Sequence, residues 1–99
     1  MAEQSAPRIQ VLIVDDEVDL LAATAKTLAR RGFDVQTAPD GETALRMLGE
    51  RRYAAVVLDV RMPGMRGVEV YRRINAGWPG LPVIVMTGDA TKEQAFDFT

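Results

Sequence analysis

The chain contains no cysteine and no histidine. The first absence excludes a disulfide framework and a thiolate metal site. The second excludes imidazole zinc centres and the nucleophilic triads that use His as their base. Positive charge is not in excess either: 12 Lys and Arg stand against 14 Asp and Glu, for a net charge of −2. There is thus no basic surface for nucleic acid or anionic lipid. No apolar run approaches the roughly 20 residues that span a bilayer. The polar start, Met1 to Arg8, lacks the apolar stretch of a signal peptide. The expectation is a cytoplasmic protein with neither a nucleic-acid nor a membrane partner.

What is present is the material of one small domain. A chain of 99 residues can bury a single modest core. Its residues are 47% hydrophobic and recur in periodic blocks, which argues against disorder. Residues 1–8 read as a tail and 9–99 as the domain. Ile9 to Val14 is a nearly continuous β-branched run, suited to a strand covered on both faces. It stops at Asp15-Asp16-Glu17. Helical spacing follows at Val18, Leu21, Ala22, Ala25, Leu28 and Ala29, and Gly32 ends it. Phe33 to Ala38 predicts a strand near a sheet edge, and Pro39-Asp40-Gly41 a turn. Glu42 to Gly49 predicts a short helix with Ala44, Leu45 and Leu48 inward. Ala54 to Leu58 predicts a second buried strand, ending on Asp59. After a loop rich in Pro and Gly, Val68 to Asn75 predicts a helix with Val70, Tyr71 and Ile74 inward. Gly77-Trp78-Pro79-Gly80 breaks it. Val83 to Met86 predicts a third buried strand, ending at Thr87-Gly88. Thr91 to Gln94 has the spacing of a capping box and would open a last helix.

This alternation argues for an α/β fold: a parallel sheet with helices on both faces. Ligands in such folds sit beyond the carboxyl ends of the strands. Asp15, Asp16, Asp59 and Thr87 all fall at such ends. Carboxylates crowded at one edge repel one another, and a hard divalent cation such as Mg²⁺ would relieve this through oxygen ligands. The cation would also neutralise an arriving phosphoryl group, whose transfer depends mainly on positioning and charge stabilisation. A carboxylate can be the nucleophile and become an acyl phosphate, while a Thr87 hydroxyl could donate to a phosphoryl oxygen.

Three stretches carry a resemblance: Val11-Leu12-Ile13-Val14-Asp15-Asp16-Glu17, Leu58-Asp59-Val60-Arg61-Met62-Pro63-Gly64 and Val83-Ile84-Val85-Met86-Thr87-Gly88. In order and spacing the chain resembles a response-regulator receiver domain of two-component signal transduction. The resemblance implies a flavodoxin-like doubly wound sheet of strand order 2-1-3-4. It implies that Asp59 accepts a phosphoryl group from a sensor histidine kinase or a phosphotransfer protein. It also implies Mg²⁺ on Asp16, Asp59 and the backbone carbonyl of Arg61, with Asp15 acting largely through bound water. Thr87 then contacts the phosphoryl oxygen as a switch, and Gly88 keeps the approach open. Such a domain is a phosphoacceptor rather than an enzyme, at most phosphorylating and dephosphorylating itself.

The chain departs from the family pattern at its end. Receiver domains continue with a fifth strand and fifth helix, and with a Lys that pairs with the phosphoryl group. None of these is matched within 99 residues. The expectation is a truncated receiver with an exposed edge at Val83–Met86 and an uncovered sheet face. A homodimer would bury them. Phosphorylation would be weakened, with Arg61, Lys92 or a neighbouring subunit supplying the cation. The alternative is a non-phosphorylated receiver-fold module for dimerisation or docking. An aspartyl phosphohydrolase is disfavoured because Arg61 occupies the position of its second Asp. A flavin carrier is disfavoured because Asp15-Asp16-Glu17 would repel an anion.

Overall fold

The computed structural model describes residues 8–59 and 67–86. Strands and helices alternate: β1 (Gln10–Val14), α1 (Val18–Arg30), β2 (Asp34–Ala38), α2 (Gly41–Glu50), β3 (Ala55–Asp59), α3 (Gly67–Gly77) and β4 (Val83–Met86). The four strands form one parallel sheet in the order β2-β1-β3-β4. This is the doubly wound arrangement that the resemblance implies.

The continuous apolar runs are explained by cover on both faces. Because side chains alternate along a strand, Leu12, Val14, Val56 and Leu58 share one face. They pack with Ala44 and Leu48 of α2 and Val70 and Ile74 of α3. Val11, Ile13 and Val57 share the other, with Leu21 of α1. Leu12, Ile13 and Leu58 are fully buried, and each such side chain contributes about 1.5–3 kcal/mol.

The helix ends follow local chemistry. Gly32, at φ 99°, takes the left-handed conformation beyond α1. There its N–H donates to the Ala29 carbonyl at 3.0 Å, and the Phe33 N–H donates to Leu28 at 3.2 Å. This is a Schellman closure, sealed by Phe33 and Leu28 packing in the same core. At α2, the Asp40 carboxylate accepts from the Thr43 N–H at 2.7 Å, so Asp40 is an N-cap and Gly41 already helical. The predicted turn is therefore the helix start.

Two expectations need correction. The predicted stripe of α1 is too wide: Val18 is 67% exposed, and Ala22 and Ala29 are exposed too. Leu21, Ala25 and Leu28 alone meet the sheet from that stripe. Nor is Val83–Met86 a buried strand. Among the described residues it stands at the edge of the sheet, as the family pattern led one to expect, half-buried and with Ile84 55% exposed. The predicted edge strand Phe33–Ala38 does lie at the opposite edge, as β2. The capping box at Thr91 lies outside the described residues.

Candidate functional site

The site is set by the register of the two central strands. Val14 pairs with Leu58 in the parallel ladder. The next residues are Asp15 on one strand and Asp59 on the other, so the register delivers two carboxylates side by side. They emerge between β1 and β3, where the chain's winding reverses direction across the sheet. Such a switch point opens a crevice at the carboxyl ends of strands.

Asp16 completes the group. Carboxylate oxygens of Asp15, Asp16 and Asp59 all lie within 4.8 Å of one another. Asp15 is 1% and Asp59 7% exposed, while Asp16 reaches solvent. The Asp15 backbone N–H donates to the Ala38 carbonyl at 3.1 Å, tying the start of the loop to the end of β2. Its side-chain Oδ1 accepts from the Glu17 N–H at 2.9 Å, which fixes the carboxylate's direction. Burial pushes the Asp15 carboxyl above its ordinary range, against the Glu17 hydrogen bond that lowers it. The neighbouring Asp59, through charge and hydrogen bonding, raises it further, and so does Asp16.

An all-oxygen donor set of this kind suits a hard divalent cation, and the crowding of negative charge is what such a cation relieves. The residues present therefore fit Mg²⁺ in chemistry and in mutual distance. Arg61, Thr87, Gly88 and Lys92 lie outside the described residues.

One region was not singled out by sequence reasoning. Arg51, Arg52 and Tyr53 come together with Trp78 around a cleft at the other end of the sheet. In the sequence the Arg51-Arg52 pair reads as solvated charge and Trp78 as a loop hydrophobe. Their meeting depends on β3 and β4 lying side by side, which neither stretch reveals alone.

The response regulator receiver domain family model matches residues 11–99. Over 83 residues the chain is 45% identical to the transcriptional regulatory protein PrrA of Mycobacterium leprae, covering 84% of this chain and 35% of that protein. It thus spans about a third of the length of the curated relatives it matches. Among solved structures, the response regulator protein TrrA from Thermotoga maritima in complex with Mg(2+)-BeF is 32% identical, with a TM-score of 0.80. That match covers 83% of this chain and 71% of that one. A chain in the complex of histidine kinase ThkA with TrrA is 30% identical, with a TM-score of 0.81, covering 88% of this chain and 75% of that one. Fold, strand order and sequence agree: the chain belongs to the response regulator receiver domain family of two-component systems.

Proposed function

We propose that Asp59 accepts a phosphoryl group from a phosphohistidine on a sensor histidine kinase or a phosphotransfer protein. The observation that carries this reading is the convergence of the Asp15, Asp16 and Asp59 carboxylates within 4.8 Å. Asp15 is held by the Glu17 N–H and the deeper of the two strand-end acids, which suits a positioning and charge-holding role. Asp59 closes β3, and the resemblance to receiver domains gives it the role of nucleophile.

In the transfer, an Asp59 carboxylate oxygen bonds to phosphorus. The phosphorus–nitrogen bond to the donor imidazole breaks, and its electron pair stays on the leaving nitrogen. Asp15, Asp16 and Asp59 would hold Mg²⁺, with the Arg61 carbonyl added by resemblance; when bound, the ion neutralises charge on the phosphoryl oxygens. Thr87 and Gly88 take the phosphoryl-contact roles, and Arg61 and Lys92 are the in-chain candidates for a pairing cation. The Mg(2+)-BeF complex of TrrA and its complex with ThkA support both halves of the reading.

The receiver's place is in the cytoplasm, beside such a kinase; no helix among the described residues is long and apolar enough to cross a membrane. With a net charge of −2, this chain does not itself hold nucleic acid. Self-association through the β4 edge is part of the same proposal, supported by the exposed Ile84.

The test is phosphoryl uptake from a phosphorylated kinase or acetyl phosphate, read by intact mass. Uptake should require Mg²⁺ and vanish in Asp59→Asn. Uptake that persists in that variant would overturn the assignment. No uptake by the native chain, together with no response to beryllofluoride, would favour a non-phosphorylated docking module.

A further inference from the structure

The acidic cluster occupies the carboxyl end of the sheet. At the amino end, a cleft of about 680 Å³ opens between the segment that leads from α2 into β3 and the segment that leads from α3 into β4. That volume falls in the range of small-molecule sites. The distance between the two sites is bounded by β3, whose run from Ala55 to Asp59 spans roughly 13 Å.

The cleft has two aromatic walls. Tyr53 and Trp78 both pack against the core beneath α2 and α3, which seats their rings. The Trp78 wall is a closed turn: the Leu81 N–H donates to the Trp78 carbonyl at 3.0 Å, and Gly80 takes φ 97° within it. Two exposed cations stand at the opposite wall. The Arg51 guanidinium lies 5.9 Å from the Tyr53 ring centroid, and Arg52 follows. The one acid of the lining, Glu50, is drawn off by Arg46 at 3.8 Å. The Tyr53 hydroxyl oxygen is buried, with the Arg51 guanidinium beside it. Burial also holds its proton on, so it remains a donor.

We propose that this cleft is a second ligand site, taking a small molecule of the nucleotide class. Its flat ring stacks against Trp78 and Tyr53, and its phosphates pair with Arg51 and Arg52. Guanidinium groups match phosphate oxygens in charge and in fork geometry. Aromatic faces accept any base. A concave site with two exposed cations suits a short phosphate chain better than an extended polymer. The ligand would bind apart from Asp59, so phosphorylation and ligand occupancy are not mutually exclusive.

Trp78 is the sole tryptophan of the chain, so its fluorescence reports the cleft directly. The full chain is titrated with AMP, ADP and ATP, and separately with adenosine and with pyrophosphate, followed by fluorescence and by calorimetry. Saturable quenching by the nucleotides is expected, with adenosine and pyrophosphate each weaker. The double variant Arg51→Ala/Arg52→Ala, altered only at exposed positions, should bind at least about tenfold more weakly. Asp59→Asn should bind unchanged, which separates this result from the fate of the phosphoacceptor reading. Equal affinity of the double-arginine variant would overturn the proposal. So would absence of both quenching and heat up to millimolar nucleotide, or saturation by a glutamate-rich peptide but by none of the nucleotides.

Discussion

The Glu17 backbone N–H holds the Asp15 carboxylate at 2.9 Å, although that carboxylate faces Asp59. That hydrogen bond restrains a buried carboxylate that the charges of Asp59 and Asp16 oppose. Removing the charge while keeping the shape should relieve the repulsion. Asp15→Asn is expected to raise the melting temperature of the metal-free protein, by about 4–8 °C for each kcal/mol regained. The same variant should lose most of the stabilisation that millimolar Mg²⁺ gives the native chain. Thermal melts with and without Mg²⁺ read both effects.

The pH dependence follows from two acids shifted in opposite directions. The Asp15 carboxyl is raised in the folded state, chiefly by burial. Without divalent cation, its contribution is most favourable below its unfolded pKa and declines as pH rises through the folded one. Asp40 is lowered, chiefly by the Thr43 backbone N–H. Its contribution is complete above its unfolded pKa and disappears as pH falls through the folded one. Asp40→Ala should cost about 1 kcal/mol at neutral pH. Asp40→Asn should keep most of the cap and remove that acid-side loss, seen in urea melts from pH 2 to 7.

Two glycines separate backbone strain from helix propensity. A side chain at Gly32 or at Gly49 meets no atom within 4 Å, but only Gly32 has positive φ. Gly32→Ala should therefore destabilise by about 1 kcal/mol. Gly49→Ala, within α2, should stabilise by about 0.5–1 kcal/mol. Equilibrium unfolding of the two variants gives the comparison.

Much of the fold was legible because strand ends and chemistry coincide in this chain. Val14 is followed at once by Asp15, and Leu58 by Asp59, so two apolar runs named both the strands and the acids. The α1 stripe was misread because Ala22 and Ala29 carry little preference for core or solvent, and alanine-rich helices leave their buried face open. The apolar run Val83–Met86 reads as buried in its own neighbourhood, and its place at an edge was expected only from the family pattern, because whether an apolar strand is central or at an edge depends on what pairs with it from elsewhere. The cleft was missed for a related reason: Val56 opposite Val83 brings Tyr53 toward Trp78 across a long separation in sequence.

Ile84 offers a test of the β4 edge. It is more than half exposed on a strand whose outer side is unpaired among the described residues. Ile84→Lys places a charge on the edge, a substitution that blocks strand addition. It should shift light scattering at micromolar concentration toward the monomer with little change in stability, since the position loses scant burial. A native chain already monomeric would remove this edge as an interface.

The strand order has a kinetic consequence as well. Among the described residues β1 and β3, which deliver Asp15 and Asp59, are the interior strands, and β2 and β4 flank them. Fraying begins at flanks, so amide protons of Leu12 and Val57 should exchange near the rate of global unfolding, while those of β2 and β4 exchange by smaller openings. The acidic pair thus rides on the part of the molecule that opens last, and its geometry persists through fluctuations that loosen either margin.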